Sequence, residues 1–152
     1  MKRGAYAGSF DPPTIGHLWM IQNGAALFDE LVVAVGINPE KKYQFPAEER
    51  VEMLRESARG VRIETFNETL AAFARSIGAK YLLRGIRSTA DSDYERVMRN
   101  VNGDLDPEIT TVFLMPPREL AEVSSSLVKG LMRWPDAVRR YVPEAVFRRL
   151  YA

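Results

Sequence analysis

The run Leu31-Val32-Val33-Ala34-Val35-Gly36-Ile37 contains no charged and no hydrogen-bonding side chain. A strand with one wet face alternates polar and apolar residues, whereas a strand covered on both faces reads as an almost continuous apolar stretch. This segment therefore asks for a sheet with a layer on each side of it. Its flanks agree, because both carry helical spacing: Leu18, Ile21, Ala25 and Phe28 upstream, and Val51, Leu54 and Ala58 downstream.

Short apolar runs and helical patterns alternate through the chain, as in βαβ units. Strands are expected at about Lys2–Ala7, Leu31–Ile37, Val61–Thr65, Lys80–Leu83 and Thr110–Met115, the third near an edge because it alternates. Helices are expected at about His17–Phe28, from Pro46 to the stop at Gly60, at about Glu68–Ile77 before Gly78, and at about Asp91–Val101 with Asp91 as N-cap. Shorter ones follow near Val138–Tyr141 and Pro143–Leu150. With right-handed crossovers the expected fold is α/β: a Rossmann-like, doubly wound, five-stranded parallel sheet with helices on both faces. We expect one domain over residues 1–152, with C-terminal helices from about 124 to 152 packed on it. A strand order of 3-2-1-4-5 would open the carboxyl ends of strands 1 and 4 onto one crevice.

The loop after the first strand, Gly8-Ser9-Phe10-Asp11-Pro12-Pro13-Thr14-Ile15-Gly16-His17, holds the only histidine of the chain. A strand, a glycine-bearing loop and a helix start present backbone N–H groups to an anion. Ser9 and Thr14 add hydroxyls, and His17 falls in the first helical turn. The loop is neither the dinucleotide fingerprint nor a Walker A sequence. Read alone, His17 fits a surface position in a capped helix start more readily than a phosphate contact; the upstream loop shifts the balance. After the fourth strand, Arg84-Gly85-Ile86-Arg87 sets two guanidiniums around a glycine, and arginine binds phosphate bidentately. Lys41-Lys42 offers two adjacent ammoniums, either of which could meet an anion. Val123-Ser124-Ser125-Ser126 reads as a helix cap that can also present N–H groups and hydroxyls to phosphates. Leu70 and Phe73 fit either core packing or the wall of an apolar channel. Tyr94, Val97, Met98 and Val101 fit either core packing or a subunit interface.

Formal net charge is +1, without the basic surplus of a nucleic-acid binder, so an anionic ligand must be met by locally placed Lys and Arg. No cysteine and one histidine exclude disulfides and thiolate or His-rich zinc sites. Met1–Tyr6 lacks a signal-peptide h-region, and no stretch has the apolar length of a membrane span. The expectation is a cytoplasmic protein with no membrane or nucleic-acid partner.

Gly8-Ser9-Phe10-Asp11-Pro12 followed by Thr14-x-Gly16-His17 resembles the T/H-x-G-H signature of the nucleotidyltransferase superfamily. With Arg84-Gly85-Ile86-Arg87, Asp91-x-x-Tyr94-Glu95 and Val123-Ser124-Ser125-Ser126, the chain is similar over essentially its whole length to bacterial phosphopantetheine adenylyltransferases. The resemblance implies adenylyl transfer from ATP to 4′-phosphopantetheine, giving dephospho-coenzyme A and pyrophosphate. It further implies a Mg²⁺ requirement and a homohexamer. By motif, Ser9, Phe10, His17, Gly85, Ile86, Arg87, Glu95 and the segment Leu120, Ala121, Glu122, Val123, Ser124, Ser125 and Ser126 would contact ATP. Ser9, Lys41, Leu70 and Arg84 would contact phosphopantetheine, with His17 stabilising the transition state and Lys41 and Arg84 sharing the catalytic work. Ser9 departs from the threonine of many relatives but keeps the hydroxyl. Mg²⁺ is expected on ATP oxygens, with no protein ligand.

Such a reaction needs alignment and charge neutralisation more than a general base, because the attacking phosphate monoester is already ionised. Two other readings stay open from sequence: a related transferase with another acceptor (a nicotinate-mononucleotide adenylyltransferase or a cytidylyltransferase), or a nucleotide-binding domain without turnover.

Overall fold

The computed structural model describes residues 1–152. In chain order the elements are β1 (Arg3–Gly8), α1 (Ile15–Leu27), β2 (Glu30–Gly36), α2 (Ala47–Ser57), β3 (Arg62–Phe66) and α3 (Leu70–Ser76). Then come β4 (Tyr81–Gly85), α4 (Thr89–Leu105), β5 (Thr110–Leu114), α5 (Ser125–Leu131), α6 (Pro135–Val138) and α7 (Glu144–Leu150). The five strands are all parallel, in the order β3-β2-β1-β4-β5. The expected order therefore holds, and β3 is an edge strand.

The two-residue period of β2 divides its apolar run between two cores. Leu31, Val33 and Val35 pack with Tyr6, Ile21, Val51, Leu54 and Leu83 beneath α1 and α2. Val32 and Ala34 pack with Ala5, Ala7, Phe73, Ala74 and Leu82 beneath α3. A third cluster of Met53, Val128, Val138, Val142 and Val146 fixes the C-terminal helices against α2. Helix α1 approaches the sheet closely at Gly24, where a Cβ atom would overlap Leu83 Cδ2.

Several element ends differ from expectation for identifiable reasons. Helix α1 begins two residues before His17, because Thr14 is its N-cap and accepts the His17 N–H at 3.3 Å. Asp91 is not the cap of α4. Ser88 is, its hydroxyl accepting the Asp91 N–H at 3.2 Å. Strand β4 runs through Gly85, so Arg84 is a strand residue and not part of the following loop. Helix α6 starts at Pro135, a first-turn position that proline favours, and ends at Val138 where a helix was expected to begin. Tyr94, Val97 and Val101 do not pack into the core: they line an exposed face of α4 that continues to Leu105. Phe73 is core, 3% exposed.

Candidate functional site

The carboxyl ends of β1 and β4 meet at one crevice with two lobes. The larger, of about 710 Å³, is lined by Ser9, Asn38, Lys41, Tyr43, Leu70, Met98 and Asn102 among others. The smaller, of about 230 Å³, is lined by Thr14, His17, Gly85, Arg87, Leu120, Val123, Ser124 and Ser125 among others. Ala7, Gly8, Arg84 and Glu95 line both, so they form the wall where the lobes join. The loop after β1 and the end of β4, some seventy residues apart, thus face a common hollow.

Loop geometry fixes His17. It is the third residue of α1, and its Nδ1 accepts the backbone N–H of Thr14 at 3.0 Å while Thr14 caps the His17 N–H in return. This reciprocal capping box satisfies two donors at a helix start. It also assigns the tautomer: with Nδ1 an acceptor, the proton sits on Nε2. The imidazole stands edge-to-face on the buried Phe10 ring, centroids 4.9 Å apart. Burial, then the Arg87 and Arg84 charges, push the His17 pKa down to about 4. At neutral pH His17 is an uncharged N–H donor. The Thr14 hydroxyl, expected to meet a phosphate, is instead committed to the cap and buried.

Arg84 donates from Nε and Nη2 to the two oxygens of Glu95, at 2.9 and 2.8 Å, and from Nη1 to the Ala7 carbonyl at 3.0 Å. Burial opposes its charge, but the hydrogen bonds and charge of Glu95 outweigh that and raise its pKa. Of five guanidinium N–H donors, three are engaged, leaving one on each terminal nitrogen for an anion. Arg87 is braced by Asp91, whose Oδ2 accepts from its N and Nε at 2.9 and 3.1 Å, and by the Val123 carbonyl at 2.8 Å. Glu95, 6% exposed, thus faces the crevice as the partner of Arg84.

Lys41 Nζ lies 3.5 Å from Ser9 Oγ, and it is Lys41, not Lys42, that lines the larger lobe. Leu70 lines that lobe too, as the channel reading expected. Around the smaller lobe, the Ser124 hydroxyl caps α5 by accepting the Leu127 N–H at 3.0 Å, and Ser125 Oγ donates to the Pro12 carbonyl at 2.7 Å. Ala121 and Glu122 line a shallow hollow beyond Arg87. The side chains of Phe10, Ile86 and Ser126 do not line these hollows.

Sequence reasoning missed two charged residues under the crevice. Asp11, 2% exposed, accepts the Gln44 and Phe45 N–H groups at 2.8 and 2.9 Å and lies 3.6 Å from Lys129 Nζ. It lies inside the Gly8–Pro12 signature, but local spacing does not report that it ties this loop to the stretch before α2. Arg50, 1% exposed, could have been found, because it lies one turn before Leu54 on the buried face of α2. No three His, Asp or Glu side chains converge to hold a metal ion.

A sequence model of the cytidylyltransferase-like family matches residues 5–131. A phosphopantetheine adenylyltransferase from Chromobacterium violaceum is 54% identical over 157 aligned positions, covering 99% of this chain and 96% of that protein. One from Neisseria meningitidis serogroup B is 52% identical, covering 99% and 93%. Among solved structures, a putative nicotinate-nucleotide adenylyltransferase from Vibrio parahaemolyticus superposes with a TM-score of 0.70 at 14% identity, covering all of both chains. That last likeness is one of fold.

Proposed function

The chain belongs to the phosphopantetheine adenylyltransferase family of cytidylyltransferase-like nucleotidyltransferases, and from that premise we propose how its crevice transfers AMP from ATP to 4′-phosphopantetheine. The products are dephospho-coenzyme A and pyrophosphate, a step of coenzyme A biosynthesis. The observation that carries this reading is the shared wall: a neutral imidazole N–H donor in one lobe, Lys41 in the other, and Arg84 between them.

In this reading ATP occupies the smaller lobe. His17, Gly85, Arg87 and Glu95 border it, as do Leu120, Val123, Ser124 and Ser125. Ser9, Phe10 and Ile86 contribute through backbone, while Ala121 and the backbone N–H groups of Glu122 and Ser126 meet the outer phosphates. Phosphopantetheine occupies the larger lobe, its phosphate between Ser9, Lys41 and Arg84 and its arm along Leu70. An acceptor phosphate oxygen attacks the α-phosphorus in line; that bond forms as the α–β bridging bond breaks and pyrophosphate leaves. Lys41, Arg84 and Arg87 neutralise the meeting anions in a site where water screening is weak. His17 donates Nε2–H to the charge developing at the α-phosphate, and one such donor is worth about 10²–10³ in rate.

The carboxylates that border the smaller lobe, Glu95 and Asp91, already hold Arg84 and Arg87. Mg²⁺ would enter with ATP, held by phosphate oxygens and water, and would neutralise charge on the phosphates. The exposed apolar row of Tyr94, Val97, Val101 and Leu105 supports self-assembly, which we propose to be the homohexamer. No helix is long and apolar enough to cross a membrane; a cytoplasmic location accompanies the use of ATP as donor. The test is product mass. ATP with phosphopantetheine should give dephospho-coenzyme A with pyrophosphate release, and faster turnover with nicotinate mononucleotide would overturn the acceptor assignment.

A further inference from the structure

A guanidinium buried in the floor beneath the larger lobe has no part in the chemistry above. Arg50 Nη1 donates to the Ser9 carbonyl at 2.7 Å and to the Gly36 carbonyl at 3.0 Å, while Nε donates to the Phe45 carbonyl at 3.1 Å. The Tyr43 ring covers it, 4.0 Å from its central carbon. Those carbonyls lie just past β1, at the end of β2 and just before α2. Arg50 therefore ties together the segments that carry Ser9 and Lys41, and it lines neither lobe. Asp11 reinforces the tie by accepting two N–H groups from the stretch that leads into α2.

A buried charge is costly, and an apolar side chain of similar volume is often as stable or more so. What an apolar side chain cannot supply is a planar fork of donors that fixes three backbone segments at once. Ser9 Oγ and Lys41 Nζ are 3.5 Å apart only while the two loops keep their spacing.

We propose that Arg50 is a positioning residue for the acceptor: it sets the distance between Ser9 and Lys41, and so the seat of the acceptor phosphate, without touching either substrate. This rests on the adenylyltransferase reading above. The nucleotide lobe is framed by α1, β4 and α5 and reaches this tie only through the Ser9 backbone, which does not line it, so the larger effect falls on the acceptor.

The test is steady-state kinetics of full-length Arg50→Lys, with ATP and phosphopantetheine each varied. Lysine keeps the charge but lacks the fork. The expected result is a rise in the phosphopantetheine KM of about tenfold with the ATP KM within about twofold. An equal rise in both, or a fall in kcat with both KM values unchanged, overturns the proposal, because loss of folded enzyme alone would look like the latter. Should Arg50→Lys not fold, Asp11→Asn, at a residue that lines neither lobe, weakens the second tie to the same stretch by replacing one of its two acceptor oxygens. It should raise the phosphopantetheine KM about threefold at a constant ATP KM, and an unchanged value overturns the proposal. A wild-type enzyme that makes no product from ATP and phosphopantetheine would refute the functional reading instead; product from wild type without the split in the variants refutes only this inference.

Discussion

Replacing His17 separates two roles that the structure gives to opposite edges of one ring. Nδ1 holds the Thr14 N–H, and Thr14 is 1% exposed. His17→Ala leaves that donor unsatisfied, which costs about 1–3 kcal/mol of stability. It also deletes the Nε2–H donor, which should lower kcat about 10²–10³-fold, equivalent to about 2.7–4 kcal/mol. His17→Glu separates the effects. A glutamate at the third helical position restores the capping box, so most of the stability should return. It brings an anion where charge develops, so turnover should fall at least as far as in His17→Ala. Pyrophosphate release measured with varied ATP gives the kinetic side, and urea unfolding the other. ATP affinity should stay within a few fold in His17→Ala, since the interaction belongs to the transition state. Turnover that follows stability across the two variants, or ATP binding that falls as far as kcat, would refute the assignment.

Arg84→Ala should weaken phosphopantetheine more than ATP, measured as the two KM values, because Arg84 is the arginine that reaches the larger lobe, whereas the smaller lobe keeps Arg87. The reverse order would move it to the nucleotide. The His17 ring, followed by NMR in the folded enzyme, should titrate near pH 4. Its folded pKa lies below the unfolded 6.5, so the unfolded chain binds more protons between those values and stability falls as pH drops through that window. Relative to His17→Gln, the loss should be on the order of 3 kcal/mol by pH 4; equal pH dependence in both proteins would contradict it. Gly24→Ala should destabilise the fold by about 1–2 kcal/mol in urea, the overlap with Leu83 Cδ2 outweighing the gain in helix propensity; a stabilised variant would show that α1 can withdraw.

The apolar run at Leu31–Ile37 carried most of the fold, because a strand buried on both faces leaves few architectures open, and its two faces do fill two separate cores. Element ends were less legible where side chains compete for a helix start: Ser88 took the cap expected of Asp91, and Asp91 turned back to Arg87. Among the site residues, His17, Arg84, Arg87, Lys41 and Leu70 were visible as residue types in suggestive places, and all line the crevice. Their internal partners were not visible. That Glu95 would occupy both sides of the Arg84 fork depends on the packing of α4 over β4, and local spacing does not report it. The exposed α4 row shows the same limit, since helical periodicity marks an apolar face without saying what covers it.

In the proposed transfer two anions meet directly across one crevice, with His17 a hydrogen-bond donor and never a covalent carrier. The stereochemical course at the α-phosphorus tests this most directly, using ATP made chiral there by sulfur substitution and phosphopantetheine as acceptor. A single in-line displacement predicts inversion of configuration in dephospho-coenzyme A. Retention would require two successive displacements through an enzyme-bound nucleotide and would contradict the account.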